Sequence, residues 1–537
     1  MGVTGVGPVA GVPADVPVVG PQVADLRADL AEGFTAEHLE QVLGSVARAA
    51  LGREQPVPAL RDTAGRTEPA AVLLRAFVLG ATVTRAALDR ALPRTGTAGC
   101  VALGLVEADG AGPGDEVRAL VDLQPCAVED ALGGAEWWLA SDRGELATGP
   151  RLRPDHVLGV GGASLTLAGA TMRGRRRRVL DLGTGCGIQA LLAARHSDEV
   201  VATDLAPRAL AFAGFNAALA GVGLDLREGS MLEPVRGDCA SGRPFDLVVS
   251  NPPFVITPRG SGGVPDGPEE RYVYRDGGAS GDDVVRDLVL GVGDVLAPGA
   301  VAQLLGNWEH RRGQDWRERV GEWVDRSGLD AWVVQREVQD PAEYAETWLR
   351  DGGTSADRDP TAWRAGIEAW LDDFASRDVE AVGFGIVVLR RPARGVPTLR
   401  RLEERTGPAH HPLGAHLAAA LTAHDWLAVA DDDEIAGTRL VPAPDVVEDR
   451  HHTPGVAEPM VVRLRQNSGF GRAVTVSPTV AALVGALDGE FAVGQVLAAM
   501  TALLDLPAEL VAAEVMGPLR DLVRDGLLVR ADEQGQV

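Results

Sequence analysis

The sequence predicts an α/β protein built around one doubly wound sheet of seven strands, flanked on both sides by winged-helix-like units. Three observations point there. Between residues 152 and 392, seven Val/Leu-rich runs occur, several of them separated by helix-like stretches: RRRRVLDLG, EVVATDLA, LDLREGS, FDLVVSNPP, AVAQLLGN, AWVVQREV and AVGFGIVVLRR. Short continuous apolar runs of this kind mark strands buried on both faces. The first run leads straight into a glycine-rich turn, and the chain before and after the region reads as helices followed by short strands.

In chain order, residues 1–22 read as a flexible tail rich in Gly, Pro and Val. Residues 23–150 form the N-terminal unit. VADLRADLAEGF and TAEHLEQVLGSVARAAL carry helical spacing of apolar residues, and TRAALDRALPR is a helix with a Thr cap and a stop at Pro93. LGLVEAD, VRALVDLQP and EWWLASD then read as short strands. Residues 151–392 hold the sheet. Residues 393–473 read as a linker region rich in Pro, His and Asp, with one helical segment, LGAHLAAALTAHDWLAV. Residues 474–537 read helix, helix, helix, strand, a second winged-helix-like unit.

Composition narrows the function classes. At 537 residues the chain is expected to hold about three to four domains. It is 45% hydrophobic, which excludes wholesale disorder. The formal net charge is −25, with arginine supplying every basic residue. Phosphate-dominated binders carry net positive domains, so the charge leans away from a nucleic-acid-coated protein while leaving room for a local basic groove. Cys100, Cys126, Cys186 and Cys239 are far apart, with no CxxC pair, so no disulfide framework or zinc knuckle is expected. The N-terminal residues lack the positive region of a signal peptide, and no uncharged apolar run reaches the roughly 18 residues of a membrane helix. A soluble cytoplasmic protein is expected.

The chemistry is carried by three strand ends. VLDLGTGCGI runs from a strand ending at Asp181 through Gly183, Thr184, Gly185 and Gly187 into a helix. Such a turn lets the backbone approach a ligand at the carboxyl end of the sheet. The next strand ends at Asp204, with Leu205 beside it; an acid there can accept from both ribose hydroxyls of an adenosine, or simply cap the helix that starts near Pro207. A dinucleotide or S-adenosylmethionine fits both features. The fourth strand ends in Asn251-Pro252-Pro253-Phe254. That rigid corner offers two acceptors, the Asn251 side-chain oxygen and the Pro252 carbonyl, to an NH2 group, and Phe254 offers a flat face. Holding a delocalised nitrogen in line with a methyl donor needs orientation and charge stabilisation but no strong base.

With these motifs, residues 152–392 resemble the class I, Rossmann-like S-adenosylmethionine-dependent methyltransferases of the NPPY/NPPF, N-methylating kind, above all the release-factor glutamine methyltransferases and the small-domain rRNA guanine methyltransferases. The resemblance implies S-adenosyl-L-methionine as cofactor. Asp181, Gly183, Gly185 and Gly187, with Thr184, would cradle its methionine part, Asp204 would hold the ribose, and Leu205, Ser230, Met231 and Asn251 are further cofactor-binding candidates. Asn251, Pro252, Pro253 and Phe254 would form the catalytic corner. RPDHVLGVGGAS before the first strand would cover the cofactor, making Asp155 and Gly161 secondary candidates. The stretch from Tyr272 through Asp276, Gly277 and Gly278 resembles the DGG segment near the acceptor in the glutamine enzymes, with a plain Gly-rich connection as the alternative. Two departures stand out: Ser230, next to Met231, sits where many relatives carry an acid that reads adenine, and the aromatic is Phe254 in place of Tyr.

These residues imply a methyltransferase acting on a planar NH2 group of a macromolecule, with a protein glutamine favoured and an exocyclic amine of an rRNA or other nucleic-acid base as the alternative. Remote alternatives are a dinucleotide-dependent oxidoreductase, which would leave NPPF unexplained, and a non-catalytic scaffold, against which the intact Asn251 and Asp204 argue. The remaining features read as structural. His410, His411, His416, His424, His451 and His452 show no metal-ligand spacing. Arg175–Arg178 precede a core strand, Asp431–Asp433 read as a solvated loop, and Trp137 and Trp138 as core. No metal is expected.

Overall fold

The computed structural model describes residues 15–130, 132–144, 153–259, 274–410, 412–505 and 507–533. These fall into two compact units. The first gathers the described residues up to 404, except 130, 132 and 169–173, which cluster with residues from 405 onward in the second.

The first unit opens with helices Val23–Gly33, Ala36–Val42, Ser45–Leu51, Val57–Thr63 and Pro69–Leu73. Leu26, Leu30 and Phe34 fall on one face and are fully buried, as spacing of four residues requires. Helix Arg85–Ala91 starts at the expected cap, Thr84, whose hydroxyl accepts from the Ala87 N–H. Strands Val83–Thr84, Glu116–Ala119 and Val106–Ala108 form a small antiparallel sheet with the Glu116 strand in the middle. Strands Asp122–Asp130 and Gly133–Ser141 then pair. The tail expected over 1–22 needs correction at its described end. Val16 is buried, and Asp15 pairs with Arg208 at 2.8 Å. Residues 1–14 lie outside the described residues.

The central sheet has eight strands, one more than the seven expected. In chain order they are β1 (Arg176–Leu182), β2 (Ser197–Asp204), β3 (Asp225–Glu228), β4 (Phe245–Ser250), β5 (Leu296–Arg311), β6 (Asp330–Gln339), β7 (Val379–Arg390) and β8 (Arg400–Glu404). They lie side by side as β8-β6-β7-β5-β4-β1-β2-β3. The first five are mutually parallel where they meet, β7 runs antiparallel to both β5 and β6, and β8 is parallel to β6. All seven expected runs became strands. The eighth, RRLEE, lies past the expected boundary at 392, in the stretch read as linker. It is an edge strand of charged residues with no apolar run, so alternation could not reveal it.

Chain order reverses at β1: β2 and β3 lie on one side and β4 on the other. The register pairs Leu182 of β1 with Ser250 of β4, so the glycine turn and the NPPF corner leave the sheet as neighbours. Open α/β sheets bind their ligands in the crevice outside such a switch point. The N-terminal region is fastened to the same place. Fully buried Asn216, on helix Pro207–Ala220, bonds Ala140 through both its N–H and its C=O, and also the Cys186 carbonyl, each at 2.8 Å.

The second unit, by itself, holds helices Leu413–Leu427, Asp432–Gly437, Pro478–Ala486, Val493–Leu504 and Ala508–Arg524. A three-stranded antiparallel meander, Val446–His452, Pro459–Gln466 and Ala473–Val476, occupies much of the stretch expected to be linker. Strand Leu440–Pro442 pairs antiparallel with Leu528–Arg530. All four cysteines are free thiols. Among the described residues, no helix is long and apolar enough to cross a membrane, and no group of three or more His, Cys, Asp or Glu is placed to hold a metal ion.

Candidate active site

A cavity of about 560 Å³ opens at the switch point. Its wall contains Asp181, Gly183, Thr184, Gly185, Asp204, Leu205, Ser230, Met231, Asn251, Pro252, Pro253, Phe254, Asp276, Gly277 and Gly278, together with Asp155 and Gly161. The fold therefore brings together expected site residues spread over more than a hundred positions. Of the other expected residues, Tyr272 lies outside the described residues. Gly187 does not line the cavity; it starts helix Ile188–Ala194 with φ +92, and a Cβ there would sit 3.2 Å from the Cα of Ala213. Its part is a tight turn and close helix packing. A Gly187→Ala variant is expected to lose about 1–2 kcal/mol of stability from the left-handed backbone alone, more if Ala213 cannot yield; chemical denaturation measures this.

At the tip of β1, Asp181 is buried and accepts the Thr184 hydroxyl at 2.6 Å. Burial pushes its carboxyl up to about 7. At the tip of β2, the Asp204 carboxylate accepts the Gly185 N–H at 3.0 Å and the Ala206 N–H at 2.9 Å, and burial raises its pKa. The two readings of this acid are compatible. Its oxygens fasten the glycine turn to the start of the next helix, yet each keeps a lone pair for another donor. Leu205 is 58% exposed on the cavity wall, an apolar face without cover. Met231 holds φ +48, a left-handed backbone for a residue with a long side chain, next to Ser230 where the acid of many relatives is absent.

The NPPF corner is held on every side. Phe254 N–H donates to the Pro252 carbonyl (2.8 Å), Gly277 N–H to the Pro253 carbonyl (3.1 Å), and Val255 N–H to the Arg275 carbonyl (2.8 Å). The corner and the DGG segment are thus joined as a short antiparallel bridge, and Asp276, Gly277 and Gly278 line the cavity. Gly277 is required there: a Cβ would lie 2.6 Å from Val284 and 3.0 Å from the Pro253 carbonyl. Asp276 pairs with Arg259 through one oxygen, while its Oδ2 is buried without a hydrogen-bond partner. Within the corner, the Asn251 side-chain oxygen is likewise buried and unpartnered.

Other wall residues were not among the expected site residues, although Tyr274 lies in the DGG stretch and His156 in the covering segment. Tyr274 donates its hydroxyl to Asp351 (2.8 Å), and Trp348 and Asp351 come from helix Pro341–Asp351. His156 lies in the covering segment, and burial lowers its pKa. That segment is anchored by the Val157 N–H to Asp142 (2.8 Å), and Asp142 in turn pairs with Arg208. No local pattern marks Trp348 and Asp351, because their neighbours in space are distant in sequence.

The family model and the sequence relatives agree with this geometry. The family description "Methyltransferase small domain" matches residues 161–260, and two domains of unknown function (DUF7059 and DUF7782) match residues 31–120 and 418–530. The release factor glutamine methyltransferase of Deinococcus radiodurans is 36% identical over 202 residues, covering 36% of this chain and 68% of that one. That of Moorella thermoacetica is 33% identical over 156 residues, 28% of this chain and 53% of its own length. The ribosomal protein uL3 glutamine methyltransferase of Bradyrhizobium diazoefficiens is 35% identical over 125 residues, 22% of this chain and 38% of that one. Among solved structures, a T. thermophilus 16S rRNA methyltransferase in complex with AdoMet and guanosine aligns at 17% identity and a TM-score of 0.26, covering 62% of this chain and 71% of that one.

The sheet, the glycine turn and the NPPF corner define a class I methyltransferase that uses S-adenosylmethionine. The cavity fits that donor on its own terms, with an open glycine turn, an acid at the second strand tip with lone pairs to spare, and an orphaned amide oxygen at the fourth. The chain belongs to the family of the release factor glutamine methyltransferases. The dinucleotide-oxidoreductase alternative falls with that assignment.

Proposed function

We propose that this enzyme methylates the side-chain amide of a glutamine in a protein partner. The observation that carries the reading is the contrast within the corner. The Pro252 and Pro253 carbonyls and the Phe254 and Val255 N–H groups are engaged, while the Asn251 side-chain oxygen is buried and has no partner. An unpaired buried acceptor costs about 1–3 kcal/mol, which an incoming N–H would relieve. Asn251 and the second lone pair of the Pro252 carbonyl would accept the two hydrogens of an amide NH2. Phe254 would pack on its plane. The orphaned Asp276 Oδ2 adds an acceptor for the backbone or side chain that carries the amide. S-adenosylmethionine supplies an electrophilic methyl group on a sulfonium. Gly183, Thr184, Gly185 and Asp181 would hold its amino-acid end, Asp204 its ribose, and Leu205, Ser230 and Met231 its adenine. The names of the sequence relatives, which act on release factors or ribosomal protein uL3, support a protein glutamine. The net charge of −25 suits a basic partner.

A second reading, an exocyclic amine of an rRNA base, draws on the N-terminal region. Its small three-stranded antiparallel sheet among helices would suit a winged-helix-like docking module. Labelled methyl transfer into fractionated extract of a deletion strain, followed by mass spectrometry of protein and RNA, separates the two. Label confined to RNA, with protein glutamines untouched, would overturn the first reading.

The pH dependence follows from Asp181. With its carboxyl at about 7 rather than 3.8, the folded protein keeps a proton that the unfolded chain has released. This group's contribution to stability is therefore greatest below pH 3.8 and is lost as pH rises through about 7. A cationic ligand end favours the ionised form, so affinity for S-adenosylhomocysteine is expected to be about tenfold weaker at pH 6 than at pH 8. Calorimetry at both values checks this, and Asp181→Asn should flatten the dependence.

A further inference from the structure

We infer that the two helices inserted between β6 and β7 belong to the methyl-transfer site, and that Tyr344 is a positioning residue that sets the NPPF corner. The inference rests on the reading of Asn251 as the amide-holding group. Antiparallel neighbours such as β6 and β7 can be joined by about two to five residues. Here residues 340–378 intervene and build helices Pro341–Asp351 and Pro360–Ala375.

The first of these helices turns one face to the site. Tyr344, Trp348 and Asp351 are spaced four and three apart, so they share that face. Trp348 and Asp351 line the cavity, and Asp351 receives the Tyr274 hydroxyl and the Arg275 guanidinium, each at 2.8 Å. Tyr344 is fully buried, and its hydroxyl accepts the Ile256 N–H at 2.9 Å and the Asn307 amide at 3.0 Å. The second helix completes the hold. The Trp370 indole N–H donates to the Ile256 carbonyl at 2.8 Å. Both backbone groups of Ile256, two residues beyond Phe254, are therefore gripped by side chains. Tyr344 also stacks on Phe384 (5.7 Å), whose ring meets Phe254 edge-on at 6.4 Å. Hydrogen bonds from the DGG segment fix one side of the corner, and the inserted helices fix where it ends. A displacement of about 1 Å in a positioning group can cost a hundredfold in rate.

The test uses the full chain and its Tyr344→Phe variant, which keeps the ring and removes the acceptor. Three quantities are measured below the melting transition: amide hydrogen exchange at Ile256, S-adenosylhomocysteine affinity by calorimetry, and the rate of tritiated methyl transfer into extract of a deletion strain at saturating donor. Faster exchange, affinity within twofold of wild type and a rate per folded molecule at least about tenfold lower support the role. A lower melting temperature with an unchanged rate per folded molecule overturns it and leaves Tyr344 structural. Trp370→Phe removes the other half of the grip and should give the same pattern, so a poorly folding Tyr344 variant does not close the question. Should wild type label no acceptor bearing a planar nitrogen, the reading of the Asn251 corner fails, and the positioning role with it. A wild type that labels its acceptor, beside a fully active Tyr344→Phe, refutes the positioning role alone.

Discussion

Replacing Asn251 with alanine is expected to lower methyl transfer by about a hundredfold or more while leaving S-adenosylhomocysteine affinity within about threefold of wild type. The physical reason is the division of labour at the tip of β4. The backbone around Asn251 is anchored by Phe254, Gly277 and Val255, so deleting the side chain should not collapse the corner. What disappears is the buried oxygen that has no partner in the free protein. Because that oxygen has no bond to break, its interaction with an acceptor N–H would be gained on binding and strengthened as the nitrogen becomes positive. Its loss should therefore fall on kcat more than on donor binding. Radiometric assay with a saturating donor and calorimetry in parallel read the two effects. A variant that binds donor poorly but transfers normally once saturated would place Asn251 in the cofactor site and remove it from the acceptor site.

The second large effect concerns Asp204. Asp204→Ala should weaken S-adenosylhomocysteine binding at least about a hundredfold, the size expected when hydrogen bonds donated by two hydroxyls to a carboxylate are lost. The same carboxylate fastens Gly185 and Ala206, so part of the loss would come from a loosened glycine turn. Asp204→Asn distinguishes the contributions. It keeps one acceptor oxygen but carries no charge, and its affinity should fall between wild type and alanine. Calorimetry with S-adenosylhomocysteine and with a 2′,3′-dideoxy analogue completes the test. If wild type binds both ligands equally, Asp204 holds the turn and does not read the ribose.

Parts of this site are legible in the chain because each is a local device. A strand that must be buried on both faces is written as VLDL or DLVV, and a turn that must approach a ligand is written with glycine. Asp181, Asp204 and Asn251 each stand at the end of such a run, so a strand count alone places them on one edge of a parallel sheet. Gly187 shows the limit of that reasoning. It belongs to the same turn, yet its conformation and its contact with Ala213 serve packing. Spacing cannot separate a glycine that faces a ligand from one that faces a helix.

The sequence by itself determined the sheet-forming runs, the glycine turn, the acid at the second strand tip and the rigid corner at the fourth, because period, proline and glycine act within a few residues. Only the tertiary structure decided the eighth strand, the bridge between Phe254 and Asp276, and the cavity wall given by Trp348 and Asp351. It also decided the grip of Tyr344 and Trp370 on Ile256. An edge strand of charged residues earns its place by pairing with β6, and a tyrosine hydroxyl finds a backbone N–H 88 positions away only once the sheet has closed around both.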